Sequence, residues 1–221
     1  PYPMLMAAKR HLSDAEFGDL LRATVVIAFR YNVIGAQHTG EQERVYHAAA
    51  MRIYRGDAGA LKQVLEALRS LYRGDDAFRT NFAEKSIQTT QSRNAKIVRY
   101  ILCKLEKQQE GGIDFDPDAP AYTIEHVLPQ SPDAGWDAFS DRDLEAFVYR
   151  IANMVMLETA RNKANGNKPY TDKRVVLQQC AMRLTQKLAN ENAEWTPERL
   201  NSRQRQLANI ATSVWRVAQL S

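Results

Sequence analysis

The sequence predicts a mostly α-helical protein of the α+β class, with a small β element near its middle. Segments with helical hydrophobic periodicity fill most of the first 110 and the last 50 residues. A loop rich in Gly, Asp and Pro at 111–120 interrupts them, and two short β-prone runs follow at 121–129 and 149–157. We therefore expect an N-terminal helical region, 1–112, and a C-terminal region, 113–221, packed as one compact domain of a larger protein.

Four segments of the N-terminal region have the apolar spacing of amphipathic helices: 13–32, 39–56, 57–74 and 92–112. Ser13 followed by Glu16 is a capping box, in which each side chain bonds the backbone N–H of the other residue, and it predicts the start of the first helix. Gly56 and Gly74 predict where the next two helices end. The lengths of these segments do not repeat, so the sequence gives no sign of a solenoid.

The C-terminal region alternates strand and helix signals. A short helix is expected around 140–150, between the two β-prone runs. Longer helices are expected at 171–190 and 196–220, and Thr196 followed by Pro197 is a typical start for the last one. The polar segment 158–170 between strand and helix is expected to hold a short helix or turn.

The charge is unevenly distributed along the chain. The formal net charge is +4, but it is +5 over residues 1–113, −8 over 114–149 and +7 over 150–221. A basic C-terminal segment is compatible with binding to phosphates, and equally with ordinary solvated helix faces. No apolar run approaches the roughly 20 residues of a membrane span. The two cysteines, Cys103 and Cys180, lie in helical patterns and are expected to be reduced core residues of a cytosolic chain.

Glu125 and His126 stand together at the end of the first β-prone run, three residues before Pro129. Taken alone, a histidine between apolar neighbours is more often a hydrogen-bonded core residue than a catalyst. The sequence excludes HExxH zinc-protease chemistry and disfavours two other catalytic classes. It has no HExxH zinc motif, no G-x-S-x-G nucleophile elbow and no set of cysteines spaced for zinc.

A second segment, "NMVMLETARN", places Asn153 in a β-like run and Asn162 nine residues later. Together with "EHVLPQ", it resembles the ββα-metal core of HNH nucleases, and the same spacings occur in the HNH domains of RNA-guided CRISPR nucleases. The resemblance implies a metal-dependent DNA endonuclease. In that family an acid–His pair ends the first strand, an Asn braces the second strand, and a short helix supplies a metal ligand.

The sequence around these two segments resembles one particular group of HNH proteins. The phrases "RNAKIVRYILCKLEK", "RIANMVMLE" and "RNKANGNKPYTDK" are similar to the C-terminal HNH domain of GmrSD-type proteins, over roughly residues 35–215. Such proteins join this domain to an N-terminal ParB-like NTPase and act in modification-dependent restriction and anti-phage defence, including the phosphorothioate-linked Ssp systems. The resemblance implies DNA as a partner, a missing N-terminal sensor domain and a prokaryotic cytoplasmic location.

The resemblance to HNH nucleases implies roles for individual residues. His126 is expected to act as general base, because a neutral imidazole can accept the proton of a water near pH 7. Glu125 and Asn162 offer the oxygen ligands that Mg²⁺ or Mn²⁺ prefers, and Asn153 is expected to brace the loop after His126. Contacts with DNA phosphates are expected from three lysines: Lys163, Lys168 and Lys173.

Three positions differ from the commoner family pattern: the first acid is Glu125, Ala152 stands where Gly is usual, and the helix carries Asn162 where many relatives have His. Two other functions remain open at this point. One is a non-catalytic helical module, with a degenerate HNH core, that binds DNA or a protein. The other is an HNH enzyme that acts on RNA.

Overall fold

The computed structural model describes all residues from Pro1 to Ser221 and confirms a mostly helical α+β protein, 60% helical. The α-helices are α1 (Tyr2–Lys9), α2 (Asp14–Ala28), α3 (Thr39–Tyr54), α4 (Leu61–Ala67), α5 (Asp75–Glu84), α6 (Ser92–Glu106), α7 (Asp141–Phe147), α8 (Thr159–Asn165), α9 (Tyr170–Gln178), α10 (Arg183–Glu191) and α11 (Pro197–Val214). The strands are β1 (Tyr122–His126) and β2 (Met154–Glu158). None of the helices combines the length and the apolar character that crossing a bilayer requires.

The chain folds into two compact units. The first comprises Pro1–Asn81 together with Trp215–Ser221, and the second comprises Phe82–Val214. This division differs from the predicted boundary at 112/113. The difference arises because α6 packs against both strands of the hairpin and therefore belongs with the C-terminal core.

The first unit has an apolar core built by α1 to α4, with a buried arginine at its edge. Arg30 is fully buried, and its guanidinium pairs with Asp75 at 2.8 Å and donates to the carbonyls of Arg73 and Trp215. It also lies 4.5 Å from the ring centroid of Tyr72. These partners satisfy a charge whose burial alone is costly.

The end of α2 shows why one glycine is required. The chain continues from α2 into a π-helical turn, Phe29–Ile34, and then reaches Gly35. A Cβ at Gly35 would lie 2.8 Å from the carbonyl oxygen of Arg30 and 2.9 Å from that of Tyr31. Only glycine therefore lets the backbone approach this closely.

The second unit is organised around the antiparallel β1–β2 hairpin. His126 pairs with Met154 and Tyr122 pairs with Glu158, so the hairpin is in register over five residue pairs. α6 and α8 pack on both strands, α10 packs on β2, and α11 packs on α6, α7 and the turn before β2. The side chains of β2 are buried from Met154 to Leu157, as expected for a strand covered on both faces.

Several predicted elements differ from the structure. The helix predicted at 57–74 is α4 followed by a 3₁₀ turn, Arg69–Leu71, so it ends before Gly74. The second β-prone run begins with a 3₁₀ turn, Ile151–Asn153, where Gln204 and Arg203 bind the backbone N–H and carbonyl of Ala152, so these groups do not pair with β1. The helix predicted at 171–190 is broken between α9 and α10.

Candidate functional site

The predicted acid–histidine pair lies at the end of β1. Glu125 and His126 are its last two residues, and consecutive side chains on a strand leave on opposite faces. Glu125 is directed towards α8 and α9, where its partners Asn165 and Lys173 lie. His126 faces Thr89 and Tyr149 instead. The pair therefore borders the same end of the hairpin from two sides.

Glu125 is held by a buried ion pair. Its Oε1 accepts from Lys173 Nζ at 2.7 Å and from Asn165 Nδ2 at 2.8 Å. Lys173 Nζ also donates to the carbonyl oxygen of His126 at 2.8 Å and lies 5.9 Å from the ring centroid of Trp136. One ammonium group therefore fixes both the Glu125 carboxylate and the backbone of the neighbouring histidine.

Burial dominates the electrostatics of this pair. Loss of solvent raises the pKa of Glu125, and the nearby Lys173 charge and hydrogen bonds partly offset that rise. Burial also lowers the pKa of Lys173, against the opposing attraction of Glu125. Each charge is thus maintained by the other rather than by water.

The position of Lys173 corrects one sequence-based expectation. Its side chain is 0% exposed, with three partners inside the protein, so it is not placed to contact a DNA phosphate at the surface. Lys163 and Lys168 are exposed and stay available for that role.

His126 has one hydrogen-bonded ring nitrogen and one free one. Nε2 lies 3.2 Å from the hydroxyl oxygen of Thr89, and the ring meets Tyr149 edge-on at 5.7 Å between centroids. No protein group bonds Nδ1, which is not among the buried polar atoms lacking a partner, so Nδ1 is open to solvent. Burial, reinforced by the Lys173 charge, lowers the pKa of His126 to about 4. The imidazole is therefore neutral near pH 7, the state that can accept a proton.

Asn153 cross-links the loop after His126 from behind the hairpin. Its side chain is 0% exposed; its Oδ1 accepts from Leu128 N at 2.8 Å and from Trp195 Nε1 at 3.2 Å. Its Nδ2 donates to the carbonyls of Leu128 and Val148, and its own carbonyl accepts from the backbone of residue 127. The amide uses both donors and its acceptor to fix the backbone after the strand.

Asn162 and Asn165 lie three residues apart on α8 and share the face that contacts β1. Asn162 is half-buried, and its Nδ2 donates to Thr123 Oγ1 at 2.8 Å and to the Ile124 carbonyl at 3.0 Å. These bonds leave Asn162 Oδ1 without a donor. The Oδ1 of Asn165 is buried and also has no partner.

The oxygen atoms here fit a hard divalent cation. Asn162 Oδ1 accepts no hydrogen bond, and the second Glu125 oxygen, Oε2, accepts none from a side chain. Carboxylate and amide oxygens are the ligands that Mg²⁺ and Mn²⁺ prefer. There is no cluster of three or more His, Cys, Asp or Glu residues. A cation held here would take most of its ligands from water and substrate, as Mg²⁺ commonly does.

Several residues around the site were not predicted from the sequence. Some of them could have been found from their local spacing, and others could not. Asn165 was recoverable, because it is one helical turn after Asn162. Lys173 was noticed only as a surface cation, since its pairing with Glu125 spans 48 positions of the chain. Thr89 and Trp195 lie outside any local motif and had no signal.

The fold and site define a mostly helical protein with a two-stranded hairpin, at whose end a buried lysine pairs with an acid and holds the backbone of the neighbouring histidine. The chain belongs to the family of GmrSD restriction endonucleases, C-terminal domain, which matches residues 72–210, more than half of its length. A comparison with curated proteins finds no match. The matched range contains all the site residues described above.

Proposed function

We propose that this chain is a metal-dependent HNH endonuclease that nicks or cleaves DNA phosphodiester bonds. The observation that carries the proposal is a neutral imidazole with a free Nδ1, next in sequence to a buried acid and near an amide with an unused oxygen, in a restriction endonuclease family. Phosphodiester hydrolysis needs a base for the attacking water, neutralisation of the phosphate and support for the leaving 3′-oxygen.

His126 meets the first need. Nδ1 takes the proton of a water molecule as that water attacks phosphorus, and the imidazole's neutral state leaves its lone pair ready. A bound Mg²⁺ or Mn²⁺ supplies charge neutralisation at the phosphate and the leaving oxygen. Glu125 and Asn162 would hold it through their carboxylate and amide oxygens.

The surrounding residues keep these groups in place. Lys173 orients Glu125 and holds the His126 carbonyl, so the acid and the base share one buried anchor. Asn153 fixes the backbone at Leu128, which limits movement of the loop that follows the base. Rigid support of this kind is what makes a catalytic group effective.

The substrate is proposed to be phage or foreign DNA, contacted mainly through its backbone. Lys163 and Lys168 are exposed near the site and can meet phosphates. In the proposal an N-terminal NTPase or sensor domain of the same protein selects the target, within the prokaryotic cytoplasm. Replacing Lys163 and Lys168 by Ala should weaken DNA binding equally across sequences and flatten its salt dependence.

The decisive experiment is relaxation of a supercoiled plasmid with Mg²⁺ or Mn²⁺, with and without EDTA. Wild type should nick the plasmid only when the metal is present. His126→Ala should lose cleavage while retaining its fold and its DNA affinity. His47→Ala is the matched control, because His47 is exposed on α3 of the first unit and should leave cleavage intact. Undiminished cleavage by His126→Ala would contradict the proposed role of His126 as general base.

One observation favours a second candidate, a non-catalytic module that binds DNA or a protein. The Lys173 ammonium already neutralises Glu125, so the carboxylate has a cation without a metal. A pure binder would shift DNA in a gel without metal-dependent nicking, and the plasmid assay separates the two. Matched RNA and DNA substrates in the same assay test the remaining alternative, an enzyme that acts on RNA.

A further inference from the structure

The segment between α5 and α6 contributes a side chain to the site, although it lies far from the β1–β2 motif in sequence. Thr89 Oγ1 is 3.2 Å from His126 Nε2, across 37 positions of the chain. Thr89 is partly buried, and the imidazole is the one protein group to which its hydroxyl is hydrogen-bonded.

The backbone around Thr89 is held firmly. Ile87 N donates to the Tyr149 carbonyl at 2.9 Å, and Ser86 forms a β-bridge with Arg150. On the other side, Asn94 Nδ2 donates to the Gln88 carbonyl at 2.9 Å. The position of the Thr89 hydroxyl is therefore set by the surrounding structure rather than by free movement of a loop.

Tyr149, whose backbone anchors this segment, also contacts the ring of His126. Tyr149 accepts the backbone bond from Ile87 and meets the imidazole edge-on at an interplanar angle of 88°. Thr89 and Tyr149 thus both contact the ring, while Nδ1 has no protein partner and reaches solvent.

We propose that Thr89 is a positioning residue that holds His126 in the Nε2–H tautomer by accepting its hydrogen bond, so that Nδ1 carries the lone pair. A neutral imidazole has one protonated nitrogen and one basic nitrogen, and the bond made by one nitrogen decides which state the other takes. The opposite arrangement, with Thr89 donating to Nε2, would place a proton on Nδ1 and block it as a base. The direction of this bond rests on the proposed function, in which Nδ1 is the base, because the Thr89 hydroxyl can accept from Nε2 or donate to it.

The test is a long-range ¹H–¹⁵N correlation spectrum of the metal-free chain near pH 7.5, in which the two nitrogens of a neutral imidazole are resolved. The His126 signals are assigned by their loss in His126→Gln. Wild type and Thr89→Ser should show Nε2 protonated and Nδ1 unprotonated. Thr89→Val, which replaces the hydroxyl with a methyl group of similar size, should shift His126 towards a mixture of tautomers. Thr90→Val, at the exposed neighbouring position, should match wild type.

Activity provides a second readout. In the plasmid assay Thr89→Val should lower kcat roughly 10- to 100-fold, with KM little changed and with recovery in Thr89→Ser. A wild-type spectrum with Nδ1 protonated, or an unaltered tautomer in Thr89→Val, would overturn the proposal. If no variant cleaves DNA but the tautomer responds as expected, the nuclease function fails while the positioning role of Thr89 stands.

Discussion

Lys173 Nζ lies 2.7 Å from Glu125 Oε1, and the two side chains are 0% and 7% exposed. A buried ion pair of this kind contributes little net stability compared with apolar residues of the same size, because both charges lose their hydration. Its members depend on each other, however, since either one alone would leave an uncompensated charge in the interior. The pair is therefore better explained by the position it gives Glu125 and His126 than by stability.

Lys173→Met should destabilise the protein by about 3–5 kcal/mol, because it leaves the Glu125 carboxylate buried without its cation. The double variant Glu125→Gln/Lys173→Met should recover most of that loss, since neither charge remains. Urea unfolding of the metal-free proteins measures both values. Additive losses in the double variant would show that the two side chains are not energetically coupled.

Asn153 should be among the most sensitive positions for stability. Asn153→Ala leaves the buried N–H and carbonyl of Leu128, the Val148 carbonyl and Trp195 Nε1 without partners. Each unsatisfied group costs about 1–3 kcal/mol, so we expect a loss of at least about 3 kcal/mol in urea unfolding.

Two companion variants separate the parts of this network. Trp195→Phe removes one bond and should cost only about 1 kcal/mol. Asn153→Asp replaces the Nδ2 donor with an acceptor facing two carbonyls, and should destabilise the protein about as much as Asn153→Ala. An Asn153→Asp protein as stable as wild type would mean that the donor bonds contribute nothing.

Local sequence patterns were sufficient to predict most of the helices. The Ser13–Glu16 capping box is present, and α6 follows the apolar stripe read from the sequence. The resemblance of the segments that hold Glu125, His126, Asn153 and Asn162 to HNH nucleases also implied two strands followed by a short helix, and these elements are present.

Long-range pairings could not be read from the same patterns. The observed division into two units differs from the predicted boundary at 112/113 because α6 packs on the hairpin. That packing depends on tertiary contacts, which local periodicity does not reveal. Lys173 was expected at the surface because lysines usually are, and its burial follows only from the Glu125 side chain that neutralises it. Thr89 reaches His126 through a segment whose course is set by Tyr149 and Arg150.

Both cysteines should be inert in the native protein. Burial raises the pKa of Cys103 and of Cys180 to about 12 each, so at pH 8 both thiols stay protonated and also shielded. A thiol-specific colorimetric reagent should therefore react with neither until the chain unfolds in urea, where the thiol pKa returns to about 8.5. Cys180→Ser isolates the signal of Cys103, and rapid labelling of either thiol in the folded protein would contradict the structure.

Glu106 caps α10 from another helix. α10 has no capping side chain at Met182, and the Glu106 carboxylate of α6 accepts from the first N–H groups instead, Arg183 N at 2.8 Å and Leu184 N at 2.7 Å. The carboxylate is almost fully buried, and it also accepts from Ile113 N at 3.2 Å. A negative charge at this helix end is favourable for both its hydrogen bonds and the helix dipole.

Glu106→Gln should lower the free energy of unfolding by roughly 1.5–3 kcal/mol, since it removes the charge and one acceptor while the amides of α10 stay buried. Hydrogen exchange should locate the effect at the first turn of α10. Glu191→Gln in the same helix is the matched control, because its contact with Lys187 is exposed and 3.8 Å long, and it should change stability by less than about 0.5 kcal/mol. Equal stability of the two variants would mean that α10 starts without help from α6.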